Sequence, residues 1–71
     1  MQISVSEVIR HAKNHWSLYA SEVRGRMLCR IWFNGTSEYK VTHGVAGSGQ
    51  EDPSIYQGCD LFRAVNVYNN L

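Results

Sequence analysis

One stretch of the chain decides the fold: Met27-Leu28-Cys29-Arg30-Ile31-Trp32-Phe33, then Asn34-Gly35, then Thr36-Ser37-Glu38-Tyr39-Lys40-Val41. Two strand-like runs flank the Asn-Gly pair, which is the strongest short-range signal for a tight turn between antiparallel strands. The sequence therefore predicts a β-hairpin over about residues 26–42.

The length of the turn fixes which side chains share a face of this hairpin. A two-residue Asn-Gly loop places Ile31 opposite Glu38, which mixes apolar and charged partners on one face. A three-residue loop of Phe33-Asn34-Gly35 shifts the pairing by one residue. Because side chains alternate with period two, charged residues then no longer lie opposite apolar residues on the core face. We therefore expect three pairs on the core side and three on the outer side: Met27/Val41, Cys29/Tyr39 and Ile31/Ser37, then Arg30/Glu38, Leu28/Lys40 and Trp32/Thr36.

A helix is predicted before the hairpin, over about residues 5–22. Ser4 and Glu7 have the spacing of a capping box, in which each side chain satisfies an orphan backbone N–H. Apolar residues then recur three and four positions apart, as on one face of a helix. These residues are Val5, Val8, Ile9, Ala12, Trp16, Tyr19, Ala20 and Val23. Gly25 is expected to end the helix.

Residues 43–58 lack a periodic pattern and contain four of the six glycines, which predicts a long flexible connection. Residues 43–47 also admit a short third strand. Asp60 has the position of an N-cap, and a final helix is expected over about residues 60–70. The predicted fold is a single α+β domain over residues 1–71 in the order α-β-β-α, with two helices on one face of a short antiparallel sheet.

Composition limits the class of protein. The 71 residues are 44% hydrophobic and 18% charged, with a net charge of +1, which argues against disorder and against a nucleic-acid binder driven by charge. The N-terminus has no secretion signal and no stretch approaches the ~20 apolar residues of a membrane span. A cytoplasmic protein with reduced Cys29 and Cys59 is therefore expected.

Catalytic and metal-binding patterns are weak throughout the chain. His11 and His15 are four residues apart and would point the same way on a helix, but no third ligand has a defined position. Glu38-Tyr39-Lys40 resembles half of a metal-dependent nuclease site, but lacks a second placed carboxylate. We therefore expect no enzyme, no cofactor and no metal site, with the histidines at the boundary of the buried helical stripe.

The outer face of the hairpin is the strongest functional candidate. It is expected to carry Arg26, Leu28, Arg30 and Trp32 on one strand and Glu38, Lys40 and Thr42 on the other. Tryptophan and arginine are enriched at binding hot spots, and an exposed Trp beside a Leu is costly without a partner.

Three interpretations of this face stay open. The protein's own long loop or C-terminus covers it, or it docks another protein, including a second copy of the chain through sheet edges. Alternatively, Trp32 stacks on a base while Arg26, Arg30 and Lys40 hold phosphates of RNA or DNA. We favour the second interpretation, with Trp32, Arg30, Arg26, Leu28, Lys40 and Glu38 as partner-binding residues.

A chain this short, starting at Met1 without a targeting signal, resembles in general style the small accessory proteins of phages and mobile elements. Many of these, anti-CRISPR proteins among them, inhibit a larger machine by occluding it. The resemblance implies surface docking onto a larger protein or complex rather than catalysis.

Overall fold

The computed structural model describes residues 2–47 and 52–71, which form a small α+β fold with one antiparallel sheet. The sheet has four strands in the order β1-β2-β3-β4. The elements are α1 (Val5–Arg10), β1 (Trp16–Arg24), β2 (Met27–Asn34), β3 (Glu38–Val45), β4 (Ser54–Gly58) and α2 (Leu61–Asn69). The order is therefore α-β-β-β-β-α, and the prediction of α-β-β-α was wrong by two strands.

The predicted helix over residues 5–22 is divided between two elements. Its capped start is real, since the backbone N–H of Glu7 donates to the Ser4 hydroxyl at 3.4 Å, but α1 ends at Arg10. Residues 11–15 form a connection, and residues 16–22 belong to the nine-residue strand β1, which pairs along its length with β2. Pairing with a neighbouring strand outweighs the local helical pattern because it satisfies the backbone while burying one side of the strand.

The sheet has a hairpin turn at residues 25–26 that was not predicted, and the predicted β2–β3 turn lies further along the chain than expected. Gly25 has φ +66° and does not end a helix; with Arg26 it forms the two-residue turn between β1 and β2. The β2–β3 turn has the predicted length of three residues, but it consists of residues 35–37, with Gly35 at φ +63°. Met27 consequently pairs with Val45 instead of Val41, and Glu38 pairs with Asn34 instead of Arg30.

The connection predicted over residues 43–58 is partly sheet. β3 continues to Val45 and so takes in residues 43–45 of the segment that admitted a third strand, and Ser54–Gly58 adds β4 to the free edge of β3. The middle of that prediction, residues 48–51, lies outside the described residues.

One face of the sheet, the inner face, packs against α2 to form the core. Cys29, Ile31, Phe33, Tyr39 and Val41 point to this side and are buried against Ala64, Val65 and Tyr68 of α2 and Val8 of α1. The Asp60 carboxylate accepts from the backbone N–H of Arg63 at 3.2 Å and so caps α2 as predicted. Arg24 on β1 donates to the carbonyl oxygens of Tyr68 and Leu71 at the other end of α2. The helix is thereby fixed to the sheet at its last turn.

No helix in the described part of the chain is long and apolar enough to cross a membrane.

Candidate docking face on the sheet

The opposite side of the sheet is the candidate site, and we refer to it as the outer face. Directly paired residues of neighbouring strands point to the same side, so the register identifies its members. They are Trp16, Leu18, Ser21 and Val23 from β1, Leu28, Arg30, Trp32 and Asn34 from β2, Glu38, Lys40, Thr42 and Gly44 from β3, and Ser54 and Gln57 from β4. Neither α1 nor α2 packs on this side, because the core cluster to which both contribute lies on the inner face.

Two tryptophans and a lysine form the centre of the outer face. The Lys40 Nζ lies 5.1 Å from the centroid of the Trp16 ring and 5.2 Å from the centroid of the Trp32 ring. The Trp32 indole N–H donates to the Thr42 hydroxyl at 3.3 Å, which fixes the orientation of the ring. Each cation–π contact of this kind contributes about 0.5–1 kcal/mol at an exposed position. The cluster therefore joins β1, β2 and β3 into one rigid platform.

A second feature of the outer face is a pair of buried polar atoms. The Arg30 Nε and the Asp52 Oδ2 are both inaccessible to solvent, and neither has a hydrogen-bond partner among residues 2–47 and 52–71. The carboxylate of Asp52 lies against the Cα of Gly44, in the space that a β-carbon at Gly44 would occupy. A buried polar atom without a partner costs about 1–3 kcal/mol. The outer face therefore includes buried polar atoms whose hydrogen-bonding capacity is incompletely satisfied.

The other predicted binding residues occupy the rim of the outer face. Leu28 is half-buried near one end of β2, and Arg26 is exposed in the adjacent β1–β2 turn. Glu38 begins β3 at the opposite end, where its carboxylate accepts from the Asn34 amide at 3.5 Å. The predicted Arg30–Glu38 pair does not form, since Arg30 lies opposite Thr42. The structure thus places five of the six predicted residues on one face and Arg26 at its end.

The weak metal candidates are separated by the break between α1 and β1. His11 is the C-cap of α1, and His15 immediately precedes β1, so the two no longer share a helical face. Among residues 2–47 and 52–71, no three His, Cys, Asp or Glu side chains are grouped as metal ligands.

A cavity of about 850 Å³ borders the outer edge of β1 and reaches α1. The Tyr19 hydroxyl donates to Glu7 Oε2 across it at 3.4 Å, and the Tyr19 ring lies 5.6 Å from that of Phe33. Burial, and secondarily the negative charge of Glu7, raise the pKa of Tyr19 above its usual value. Tyr19 therefore links the first turn of α1 to the edge strand as a neutral hydrogen-bond donor.

The sequence reasoning missed the contribution of β1 to the outer face. Trp16, Leu18 and Val23 are 39%, 46% and 56% exposed, and all three had been assigned to the predicted helix or its end. No signal within the segment distinguishes the strand from a helix, because the bulge at Tyr19 places its apolar side chains at helical spacing.

Comparison with models of protein families gives no match, and searches of curated proteins and of solved structures give none either.

Proposed function

We propose that this protein is a non-enzymatic binding protein that docks its outer face onto a protein partner. The observation that carries the proposal is the Trp16–Lys40–Trp32 cluster at the centre of a sheet face that lacks a covering helix. Exposed apolar side chains on β1 extend the cluster to the sheet edge. Contiguous apolar surface of this kind, with a polar rim, is characteristic of protein interaction sites.

The charges of the face favour a protein over a nucleic acid. Nucleic-acid binding draws its affinity from several lysines and arginines that are free to contact phosphates. Here the ammonium of Lys40 already lies against two indole rings, and the Nε of Arg30 is buried. Glu38 adds a negative charge to the rim, and the whole chain carries only +1.

The mode of action we propose is steric. A rigid 71-residue platform acts by occupying the surface of a larger protein or complex in the cytoplasm, as phage and mobile-element inhibitors do. RNA or DNA binding through the same tryptophans is the second candidate, because both rings offer a surface on which bases stack.

An affinity capture from bacterial lysate tests the proposal with three forms of the tagged protein. Trp32→Ala removes one ring from the centre of the face. Phe62→Ala removes the aromatic ring of α2 that is 75% exposed on the helical side, and serves as the matched control. Each form is used with and without nuclease, and captured proteins are quantified by mass spectrometry.

We expect the wild type and Phe62→Ala to retain one protein in near-stoichiometric amount after nuclease treatment, and Trp32→Ala to lose it. Loss of all partners with nuclease would instead favour the RNA or DNA alternative. Equal retention by Trp32→Ala and the wild type would rule out the outer face as the docking surface.

A further inference from the structure

The edge of β1 is open along most of its length. β1 is an outermost strand of the sheet, so one side of its backbone faces away from β2. No backbone hydrogen bond from another part of the described chain reaches Trp16–Ser21 from that side. The cavity of about 850 Å³ lies beside residues 17–22 and is lined on its other side by Gln2, Glu7 and His11. Unpaired strand backbone is a template for a further strand.

An irregularity in β1 gives this edge a symmetric pattern. Leu18 pairs with Trp32 and Ala20 with Ile31, so Tyr19 is an extra residue in a β-bulge. Tyr19 and Ala20 both pack against the core side, whereas the strand alternates regularly before and after them. From residue 16 to residue 23 the side chains point out, in, out, in, in, out, in, out. This order is the same when the strand is read backwards.

We propose that a second copy of the chain pairs with this edge, β1 to β1 in antiparallel orientation, about a two-fold axis between Tyr19 and Ala20. This register matches inward with inward and outward with outward residues at all eight positions. Trp16 then lies opposite Val23 of the second copy, and Leu18 lies opposite its Ser21. If the pairing is shifted by one residue, the two bulges no longer lie opposite each other. Side chains that point inward then come opposite side chains that point outward. The bulge therefore specifies the register.

The composition of β1 is compatible with pairing to itself. Glu22 is the only charged residue from position 16 to 23, so no like charges come opposite each other. The pairing covers Trp16, Leu18 and Val23, which are among the most exposed large apolar side chains of the protein. Eight residues from each copy fall well below the roughly 20–30 of a standard interface. We therefore expect a reversible dimer with a dissociation constant in the micromolar range.

Analytical ultracentrifugation of the purified full chain over a wide concentration range tests this pairing. Leu18→Lys with Ser21→Lys places two pairs of lysines opposite each other across the axis. Leu18→Lys with Ser21→Glu places lysine opposite glutamate at the same two positions. Gln57→Lys with Ser54→Lys adds the same charge to the exposed side chains of β4 and is the matched control.

The wild type and the β4 control are expected to dimerise with equal affinity. The double lysine variant should weaken the dimer at least about tenfold, since two like-charged cross-strand pairs oppose it. The Lys/Glu variant should return to within about threefold of the wild type, because each lysine regains an opposite partner. Circular dichroism checks that each variant is folded.

A monomer at every concentration would overturn the proposal. Weakening of the dimer by the β4 variant but not by the double lysine variant would also overturn it, in favour of stacking between outer faces. Failure of the Lys/Glu variant to recover would exclude this register. The proposal does not depend on the docking function, since it concerns the edge of the sheet and is read from self-association alone.

Discussion

The two faces of the sheet differ in how much of their apolar surface is buried when the chain folds. On the inner face, Ile31 and Val41 pair and are almost completely inaccessible beneath α2. On the outer face, Leu18 and Trp32 also pair, but Leu18 keeps nearly half of its surface exposed. Both faces carry large apolar side chains, so burial rather than composition distinguishes them. The inner face supplies the stability of the fold, and the outer face carries apolar surface that folding leaves unburied.

The largest expected effect comes from truncating one aliphatic side chain on each face. Ile31→Ala should destabilise the protein by about 2–5 kcal/mol, because it leaves a cavity in a close-packed core. Leu18→Ala, a comparable truncation on the outer face, should cost less than about 1 kcal/mol. Urea denaturation followed by circular dichroism measures both values. Equal losses for the two variants would mean that the outer face is as well packed as the inner face.

An intermediate effect is expected where the outer face is covered by its own chain. Gly44→Ala would place a β-carbon where the Asp52 carboxylate lies, and we expect a loss of about 1–3 kcal/mol from this overpacking. Asp52→Ala removes the obstructing group, so the double variant should recover most of that loss. A double-mutant cycle in urea measures the coupling. Additive losses would show that Asp52 does not restrict the space above Gly44.

The side of the sheet to which each residue of β2 and β3 points was predictable, because it depends only on the alternation of side chains along a strand. The predicted register was wrong, yet Trp32, Arg30 and Lys40 lie on the expected side, since the shift moves every partner by an even number of residues. The position of the turn was not predictable from the hairpin. The backbone N–H of Gly35 donates to the carbonyl oxygen of Lys13, so a segment distant in sequence holds the turn in place.

The strand β1 was misread for a physical reason. The bulge at Tyr19 puts two neighbouring residues on one side, so the apolar side chains Trp16, Tyr19, Ala20 and Val23 fall at helical spacing. A bulged strand and an amphipathic helix then share the same pattern over two turns. Only pairing with β2 distinguishes them, and that contact is not encoded within the segment. Because of this ambiguity, the contribution of β1 to the outer face was not predicted.

The smallest expected effect is a pH dependence confined to the inner face. The aromatic residues of the outer face are tryptophans, which do not titrate, whereas Tyr39 and Tyr68 are buried in the core. Burial raises the pKa of both above the ordinary 10.0, with the charge of Cys59 a second cause for Tyr39. Their contribution to stability is therefore complete below about pH 10 and is lost as the pH rises through the folded-state values, because the unfolded chain ionises first.

Tyr39→Phe tests this assignment with little disturbance, since no hydrogen bond to the Tyr39 hydroxyl is found within the described residues. At neutral pH we expect its stability to stay within about 0.5 kcal/mol of the wild type. Above pH 10 its free energy of unfolding should fall less steeply, because one group that ionises more easily in the unfolded chain is gone. Urea denaturation at a series of alkaline pH values measures the two slopes. If the free energy of unfolding fell equally steeply with pH in both proteins, Tyr39 would ionise as easily as an exposed tyrosine. That result would contradict its burial on the inner face.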